Sequence, residues 1–185
     1  MTTGSPPVDA PAWVHANLQG WPPLAQQLAV DLLMRYGLPQ ERSARRLTWY
    51  GNGPWKRTVL HREGVTHNFP LPHQDMLEQT IDYRVPPERV DDLLTYNGSL
   101  VVDRTRGELS VHCDSERANI LALNIADDIA RGERTVDQGL GYHAQVVRGT
   151  QIGETESYAQ KLKFAAAAKT ADPGEEAPLL RHLGE

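Results

Sequence analysis

The chain has 185 residues, of which 39% are hydrophobic and 23% charged, so it has enough apolar side chains for one folded domain. Its formal net charge of -5 argues against the basic surface of a nucleic-acid-binding protein, and its single cysteine excludes an intrachain disulfide. It has no signal-peptide pattern and no apolar run of the roughly 20 residues that span a bilayer, so we expect a soluble, cytoplasmic protein without nucleic acid or membrane partners.

The first part of the chain predicts a flexible arm followed by a helix. Residues 1–20 contain several prolines and glycines, and Trp13 and Trp21 are the side chains most suited to anchor this arm to the folded body. Pro22 and Pro23 fit the first turn of a helix, because a missing backbone N–H is tolerated there. Leucines and alanines at helical spacing follow as far as Gly37, where the predicted helix ends.

Alternating apolar and polar residues then predict about five strands. Residues 46–50 and 55–62 flank a strong turn signal at residues 51–54, which favours a hairpin. The other strands are predicted over residues 79–85, 99–104 and 108–113, with a short helix from about residue 86 to 94. Because the connections are hairpin-like, we predict an α+β fold, in which helices pack on one face of an antiparallel sheet of about five strands.

The strongest helical pattern follows the last strand and ends at Gly132. In this helix the sequence predicts that Asn124 is buried, whereas Asn119 and the pair Asp127–Asp128 are expected to be exposed. A further helix is predicted from Thr135 to about Val147. The single α+β domain thus spans residues 21–150, and residues 151–185 are predicted to form a C-terminal helix, about residues 154–169, and a disordered tail.

Three of the seven histidines lie between His61 and Asp75. Neutral imidazole is the commonest metal ligand, and a carboxylate can complete such a set. We therefore predict that His67, His73 and Asp75 bind a divalent metal, iron or zinc, if the loop containing Pro70 and Pro72 brings them together. A haem held by one histidine is a weaker variant. The alternative is a set of exposed loop histidines, since their spacing matches no established ligand motif.

A second set of candidate residues lies on the strand that precedes this segment. Alternation places Trp55, Arg57, Val59 and His61 on one face. Arg57 would hold a small anionic molecule through its carboxylate or phosphate, with His61 as a nearby proton donor. Trp49 and Trp55 would form an apolar wall beside them. The alternative is a half-solvated sheet face with ordinary charged residues.

A third set contains Glu108, Ser110 and His112, which share one face of a later strand. The opposite face of that strand is apolar and contains Cys113. We therefore predict that Cys113 is a small buried hydrophobic residue rather than a nucleophile.

Two functions of different classes fit these patterns. The first is a small enzyme or small-molecule-binding domain, with or without a metal, in which His61, His67, His73 and Asp75 are the catalytic groups. The second is a non-catalytic interaction protein or accessory subunit. It would dock through the uncovered face of the sheet and the Trp- and Pro-rich loops, on another protein or as a homodimer.

Overall fold

The computed structural model describes residues 14, 16, 18–153, 156–172 and 174. Its helices are α1 (Pro23–Tyr36), α2 (Val90–Tyr96), α3 (Glu116–Ala130) and α4 (Val136–Gln151), with short 3-10 helices at Pro87–Arg89 and Ser157–Ala159. Its strands are β1 (Glu41–Arg42), β2 (Arg46–Asn52), β3 (Trp55–His67), β4 (His73–Asp82), β5 (Leu100–Asp103) and β6 (Glu108–Cys113). None of the helices in these residues is long and apolar enough to cross a membrane. The cytoplasmic location stays a prediction.

The six strands form one antiparallel sheet in the order β1-β2-β3-β4-β6-β5, which confirms the predicted α+β fold. Tight hairpins join β2 to β3, β3 to β4 and β5 to β6, whereas α2 carries the chain from β4 past β6 to the edge strand β5. The strand that the sequence did not predict, β1, has only two residues and pairs with β2.

The β3–β4 hairpin is longer than the sequence predicts. Residues 63–67 continue β3, and β4 begins at His73, which is the cross-strand partner of His67. We expected Pro70 and Pro72 to exclude residues 68–75 from a strand. In the structure both prolines lie in the hairpin tip, outside the ladder, so they remove no ladder hydrogen bond and β4 can begin directly after them.

A bulge interrupts the same hairpin. Leu60 pairs with Leu77 and Val65 pairs with Asp75, so residues 61–64 of β3 lie opposite Met76 alone. Such an insertion bends a strand and changes which face its later side chains occupy. This explains why histidines six positions apart on β3 lie on opposite sides of the sheet, as described below.

All four helices pack on one face of the sheet and leave the other face open. Leu28 of α1 belongs to an apolar cluster with Leu47 and Leu60 of the sheet. Ile125 of α3 belongs to a second cluster with Leu109 of β6. The described end of the predicted arm also joins the core, since Val14 and Leu18 are buried in the first cluster. The rest of the arm and most of the predicted tail lie outside the described residues.

Trp49 and Trp55 lie in this core, which makes the prediction that they wall a pocket on the open face wrong. Their exposed fractions are 0% and 1%. The Trp49 indole N–H donates to the Gly37 carbonyl at 2.9 Å. Gly51 and Gly53 adopt φ values of +58° and +66° at the turn before Trp55. These two glycines help to form the turn that joins β2 to β3.

The polar residues of α3 are more buried than its periodicity predicts. Asn124 is buried, as expected, but so is Asn119, which donates to the Leu77 carbonyl at 2.9 Å. Asp127 and Asp128 are each 4% exposed, so the prediction that they are solvated is wrong. Asp127 accepts from the Tyr83 hydroxyl at 2.9 Å, and the Arg134 guanidinium donates to Asp128 at 2.7 Å. A single helix pattern contains no information about these distant partners.

The predicted C-terminal helix is wrong over the described residues, where the 3-10 helix at Ser157–Ala159 is the only helical turn. The segment instead runs across the domain and is held by Asn124. The Asn124 amide donates to the Tyr158 and Lys161 carbonyls at 2.7 and 2.9 Å, and its oxygen accepts from the Lys163 backbone N–H at 2.8 Å. These bonds hold residues 158–163 in a path of turns and bends that does not continue as a regular helix.

Candidate metal centre and cavity

The hairpin tip brings together three residues of the His61–Asp75 segment. His67 is the last residue of β3, and His73 and Asp75 are the first and third residues of β4. His67 Nδ1 is 3.3 Å from Asp75 Oδ2, and His73 Nε2 is 3.0 Å from Asp75 Oδ1. One nitrogen or oxygen of each residue lies within 4.8 Å of the others. We call His67, His73 and Asp75 the cavity cluster.

The hydrogen bonds of His73 determine which of its nitrogens faces the cluster. Nδ1 lies 2.8 Å from the Leu71 carbonyl oxygen, which can only accept, so Nδ1 carries a proton. In the neutral ring, Nε2 then presents a lone pair to Asp75 Oδ1. A lone pair and a carboxylate oxygen at this distance repel each other unless a proton or another cation lies between them. Metal-binding histidines usually donate their other ring N–H to a carbonyl in this way.

The carboxylate of Asp75 has one satisfied and one unsatisfied oxygen. Its side chain is only 8% exposed. Oδ2 accepts a very short hydrogen bond from the Ser99 hydroxyl, whose oxygen is also 3.1 Å from His67 Nδ1. Oδ1 is buried and has no well-directed hydrogen-bond donor among the described residues. A buried carboxylate oxygen without a donor is costly, so the cluster favours a bound cation.

His67 and His73 of the cavity cluster border a cavity of about 330 Å³ between the hairpin tip, the start of α3 and α4, whereas Asp75 is not among its lining residues. His67, His73 and Cys113 contribute polar atoms to its wall. The rest of the wall is mainly apolar, with Phe69, Leu71, Leu121, Val146, Val147 and Ala159. Arg117 also lines it. An apolar cavity with a few converging polar groups is the usual form of a small-molecule site.

His143 adds a third imidazole to the cavity wall, and no sequence pattern singles this residue out. It lies on α4, is 4% exposed, and packs edge-on against Phe69 with ring centroids 5.1 Å apart. Its Nδ1 is 2.8 Å from the Tyr96 hydroxyl. Burial, and then the charge that His73 and His67 carry when they are protonated, lower the pKa of His143 to about 4, so this ring is neutral near pH 7.

Cys113 is buried, as predicted, but it also touches the cavity cluster. Its Sγ lies 3.4 Å from His73 Nε2. Burial, followed by the charge of Asp114, raises the pKa of the thiol, so it stays protonated in the metal-free protein. The prediction treated Cys113 as a packing residue only. Its contact with His73 depends on the pairing of β4 with β6, which periodicity alone does not provide.

A second histidine–carboxylate group lies on the open face of the sheet. His61 Nε2 and His112 Nε2 are 3.3 and 3.4 Å from Glu78 Oε2. Hydrogen bonds from His112 and then His61 lower the pKa of Glu78. We call His61, Glu78 and His112 the sheet-face cluster. His61 is thus separated from His67, His73 and Asp75 by the sheet, and His112 contacts Glu78 rather than the predicted partners Glu108 and Ser110.

Arg57 belongs to the surroundings of the sheet-face cluster. Its Nη2 is 3.1 Å from Thr80 Oγ1, 3.5 Å from Glu108 Oε2 and 3.7 Å from Glu78 Oε1. The structure therefore brings Arg57 and His61 to the same carboxylate, as neighbours of Glu78. Because two carboxylates already balance its charge, the geometry favours a structural role for Arg57 over the predicted role in anion binding.

No protein-family model matches the chain, and comparisons with curated proteins and with solved structures find no match. A function must therefore be argued from the site itself, because a fold alone does not define one. The cavity cluster offers two imidazoles and a carboxylate beside a small apolar cavity. These groups can bind a metal ion, or they can transfer protons to and from a molecule in the cavity.

Proposed function

We propose that His67, His73 and Asp75 bind a divalent transition metal, zinc or iron, and that the protein is a metal-dependent enzyme or binding protein for a small molecule in the adjoining cavity. One observation carries this proposal. Asp75 Oδ1 is buried, has no well-directed donor among the described residues, and lies 3.0 Å from His73 Nε2, which presents a lone pair to it when the ring is neutral. A cation bound between them would neutralise the unpaired carboxylate oxygen and remove its repulsion with the His73 lone pair.

The chemistry of the ligand set supports these two metals. Two histidines and one carboxylate form catalytic zinc sites and the sites of non-haem iron enzymes, and in both a coordination position remains for water or substrate. The supporting bonds are also present. The Leu71 carbonyl orients His73, and the Ser99 hydroxyl holds Asp75. Cys113 near His73 favours zinc, since zinc accepts thiolate as well as imidazole.

In this proposal the metal supplies Lewis acidity at the wall of the cavity. Apolar side chains exclude water from a bound molecule, which strengthens electrostatic interactions there. His143 stays neutral because of its lowered pKa, so near pH 7 it can take part in hydrogen bonds with a bound molecule without carrying charge. It is held in the wall by the Tyr96 hydroxyl and by Phe69.

Metal analysis of the purified protein tests the proposal. After incubation with Zn²⁺, or with Fe²⁺ without oxygen, and removal of free metal, we expect about one ion per chain. A His67→Ala/His73→Ala variant should retain none. The matched control is a His61→Ala/His112→Ala variant, which removes the two histidines of the sheet-face cluster and should retain the metal. Circular dichroism of each variant checks that it is folded.

Two results would contradict the proposal. The first is a folded wild-type protein that retains neither metal. The second is retention of the metal by the His67→Ala/His73→Ala variant together with its loss from the control, which would place the metal at the sheet-face cluster. The alternative of docking through the open sheet face has less support, because the middle of that face carries ion pairs rather than an apolar patch.

A further inference from the structure

The guanidinium group of Arg117 lacks the partners that an arginine in this position requires. Arg117 is in the first turn of α3 and lines the cavity. Its Nη2 is buried and has no hydrogen-bond partner within the part of the chain that the structure describes. A buried donor on a charged group is costly when it is unpaired. Arg117 therefore places an incompletely paired positive group at the wall of the cavity.

Other arginines near the core are paired. Arg57 contacts Glu78 and Glu108, and Arg134 donates to Asp128. The acidic residue nearest to Arg117 along this wall, Asp114, accepts instead from the Ser115 hydroxyl at 3.1 Å. Arg117 is thus an exception to the pattern followed elsewhere in the fold.

We infer that the cavity binds a small organic carboxylate and that Arg117 holds its carboxylate group. A guanidinium binds a carboxylate through two parallel hydrogen bonds. A phosphate fits less well, because Arg117 is the only arginine or lysine among the described residues lining the cavity, and most of the wall is apolar. The volume of about 330 Å³ is at the small end for ligand sites and limits the molecule to metabolite size.

The shared cavity gives this inference a place in the proposed chemistry. Arg117 lines the same cavity as His67 and His73, so a carboxylate held by Arg117 lies in the compartment that those imidazoles border. Apolar residues such as Leu121 and Val146 would contact the hydrocarbon part of the ligand. That the ligand also meets a metal rests on the proposed function, whereas the binding of a carboxylate by Arg117 does not.

Binding of simple carboxylates tests the inference. The probes are pentanoate, octanoate, benzoate and phenylacetate, each compared with the uncharged primary alcohol or amide of the same skeleton, by calorimetric titration with and without Zn²⁺. We expect at least one carboxylate to bind wild-type protein more tightly than its uncharged analogue. Arg117→Gln should weaken that binding by about 10- to 100-fold, because a charge-assisted hydrogen bond is lost. Arg117→Lys should bind with intermediate affinity, since lysine keeps the charge but cannot donate the two parallel hydrogen bonds of a guanidinium.

Two controls separate this inference from the proposed metal site. Arg57→Gln removes a paired arginine on the open face and should leave carboxylate binding unchanged. Metal-free wild-type protein should still bind the carboxylate, so a failed metal proposal would leave this result intact. The inference is overturned if Arg117→Gln binds as wild type does, if analogues bind equally well, or if no carboxylate binds up to about 10 mM.

Discussion

The cavity cluster and the sheet-face cluster contain the same kinds of side chain, two histidines and one carboxylate, yet their carboxylates have different surroundings. Glu78 Oε2 contacts both His61 and His112, and Glu78 Oε1 lies 3.7 Å from Arg57 Nη2. Asp75 is more buried, and its Oδ1 has no well-directed donor among the described residues. Closeness of the potential ligand atoms is therefore insufficient to define a metal site. What matters is whether the negative charge is already balanced by the protein.

This difference predicts where a cation binds. A dication at Glu78 would be repelled by Arg57 and would have to displace the protons that His61 and His112 share with the carboxylate. Among the described residues, the uncharged Ser99 hydroxyl is the one well-directed donor to Asp75. We therefore expect the cavity cluster to bind metal more tightly than the sheet-face cluster. Substitutions in one cluster at a time test this expectation.

The largest effect is expected from neutralising each carboxylate. Asp75→Asn should weaken zinc binding by more than about 100-fold, because the loss of a direct ligand exceeds the effect of losing an outer partner. Glu78→Gln, the matched change on the open face, should leave zinc binding unchanged. Competition with a chromogenic chelator measures both affinities. Equal losses in the two variants would show that the clusters do not differ as argued.

The next effect concerns the residue that supports Asp75. Ser99→Ala removes the hydroxyl that donates to Asp75 Oδ2, and we expect zinc affinity to fall about 10-fold. The sheet-face cluster should be unaffected, because His112 Nδ1 contacts the Ser99 backbone carbonyl, which alanine retains. The same chelator competition reports the result, and an unchanged affinity would remove Ser99 from the site.

A smaller effect is expected on stability as the pH changes. Burial alone lowers the pKa of His112, but its hydrogen bond with Glu78 and the charge of Glu78 outweigh burial and raise it above 6.5. The contribution of His112 is thus present below 6.5 and is lost as the pH rises through the folded value. The pKa of Glu78 is lowered from 4.5, so its contribution is present above 4.5 and is lost at lower pH.

Both contributions are present together between about pH 5 and 6.5. Glu78→Gln should therefore lower the free energy of unfolding by about 1 kcal/mol at pH 5.5, a modest value because the cluster is partly exposed, and by less at pH 8.5. Urea unfolding at the two pH values measures this. A larger loss at pH 8.5 than at pH 5.5 would contradict the assignment.

The smallest expected effect is a gain of zinc binding at the sheet-face cluster. Arg57→Met removes the guanidinium that faces Glu78 while keeping an unbranched side chain, and we expect the sheet-face cluster to acquire weak zinc binding. This would appear as a second, low-affinity step in calorimetric titration, a few-fold stronger than any such step in wild-type protein. Persistence of a single step would mean that Arg57 is not what disfavours a metal there.

The sequence was sufficient for the architecture because each element carries its own local signal. Alternation predicted five of the six strands, and α4 begins where predicted, at Thr135, which forms a capping box with Gln138. Sequence prediction failed where local preference and tertiary contact conflict. The C-terminal segment has a helical pattern, but the amide of Asn124 holds its backbone in turns and bends.

The site was predictable only as a set of residue types. The segment containing His67, His73 and Asp75 stood out by composition, and its hairpin brings the three together. The bulge in β3, which separates His61 from His67, has no reliable sequence signal. Likewise, His143 and Arg117 reach the cavity from helices whose packing on the sheet cannot be read from periodicity.

The positions of the buried tryptophans have a spectroscopic consequence. Trp21, Trp49 and Trp55 are at most 3% exposed, and none of them lines the cavity. An indole shielded from water emits at shorter wavelength than a hydrated one, so the emission of these three should shift to the red on unfolding and stay constant when the cavity fills. Their fluorescence can therefore serve as an internal record that the fold is intact while a separate signal follows the ligand.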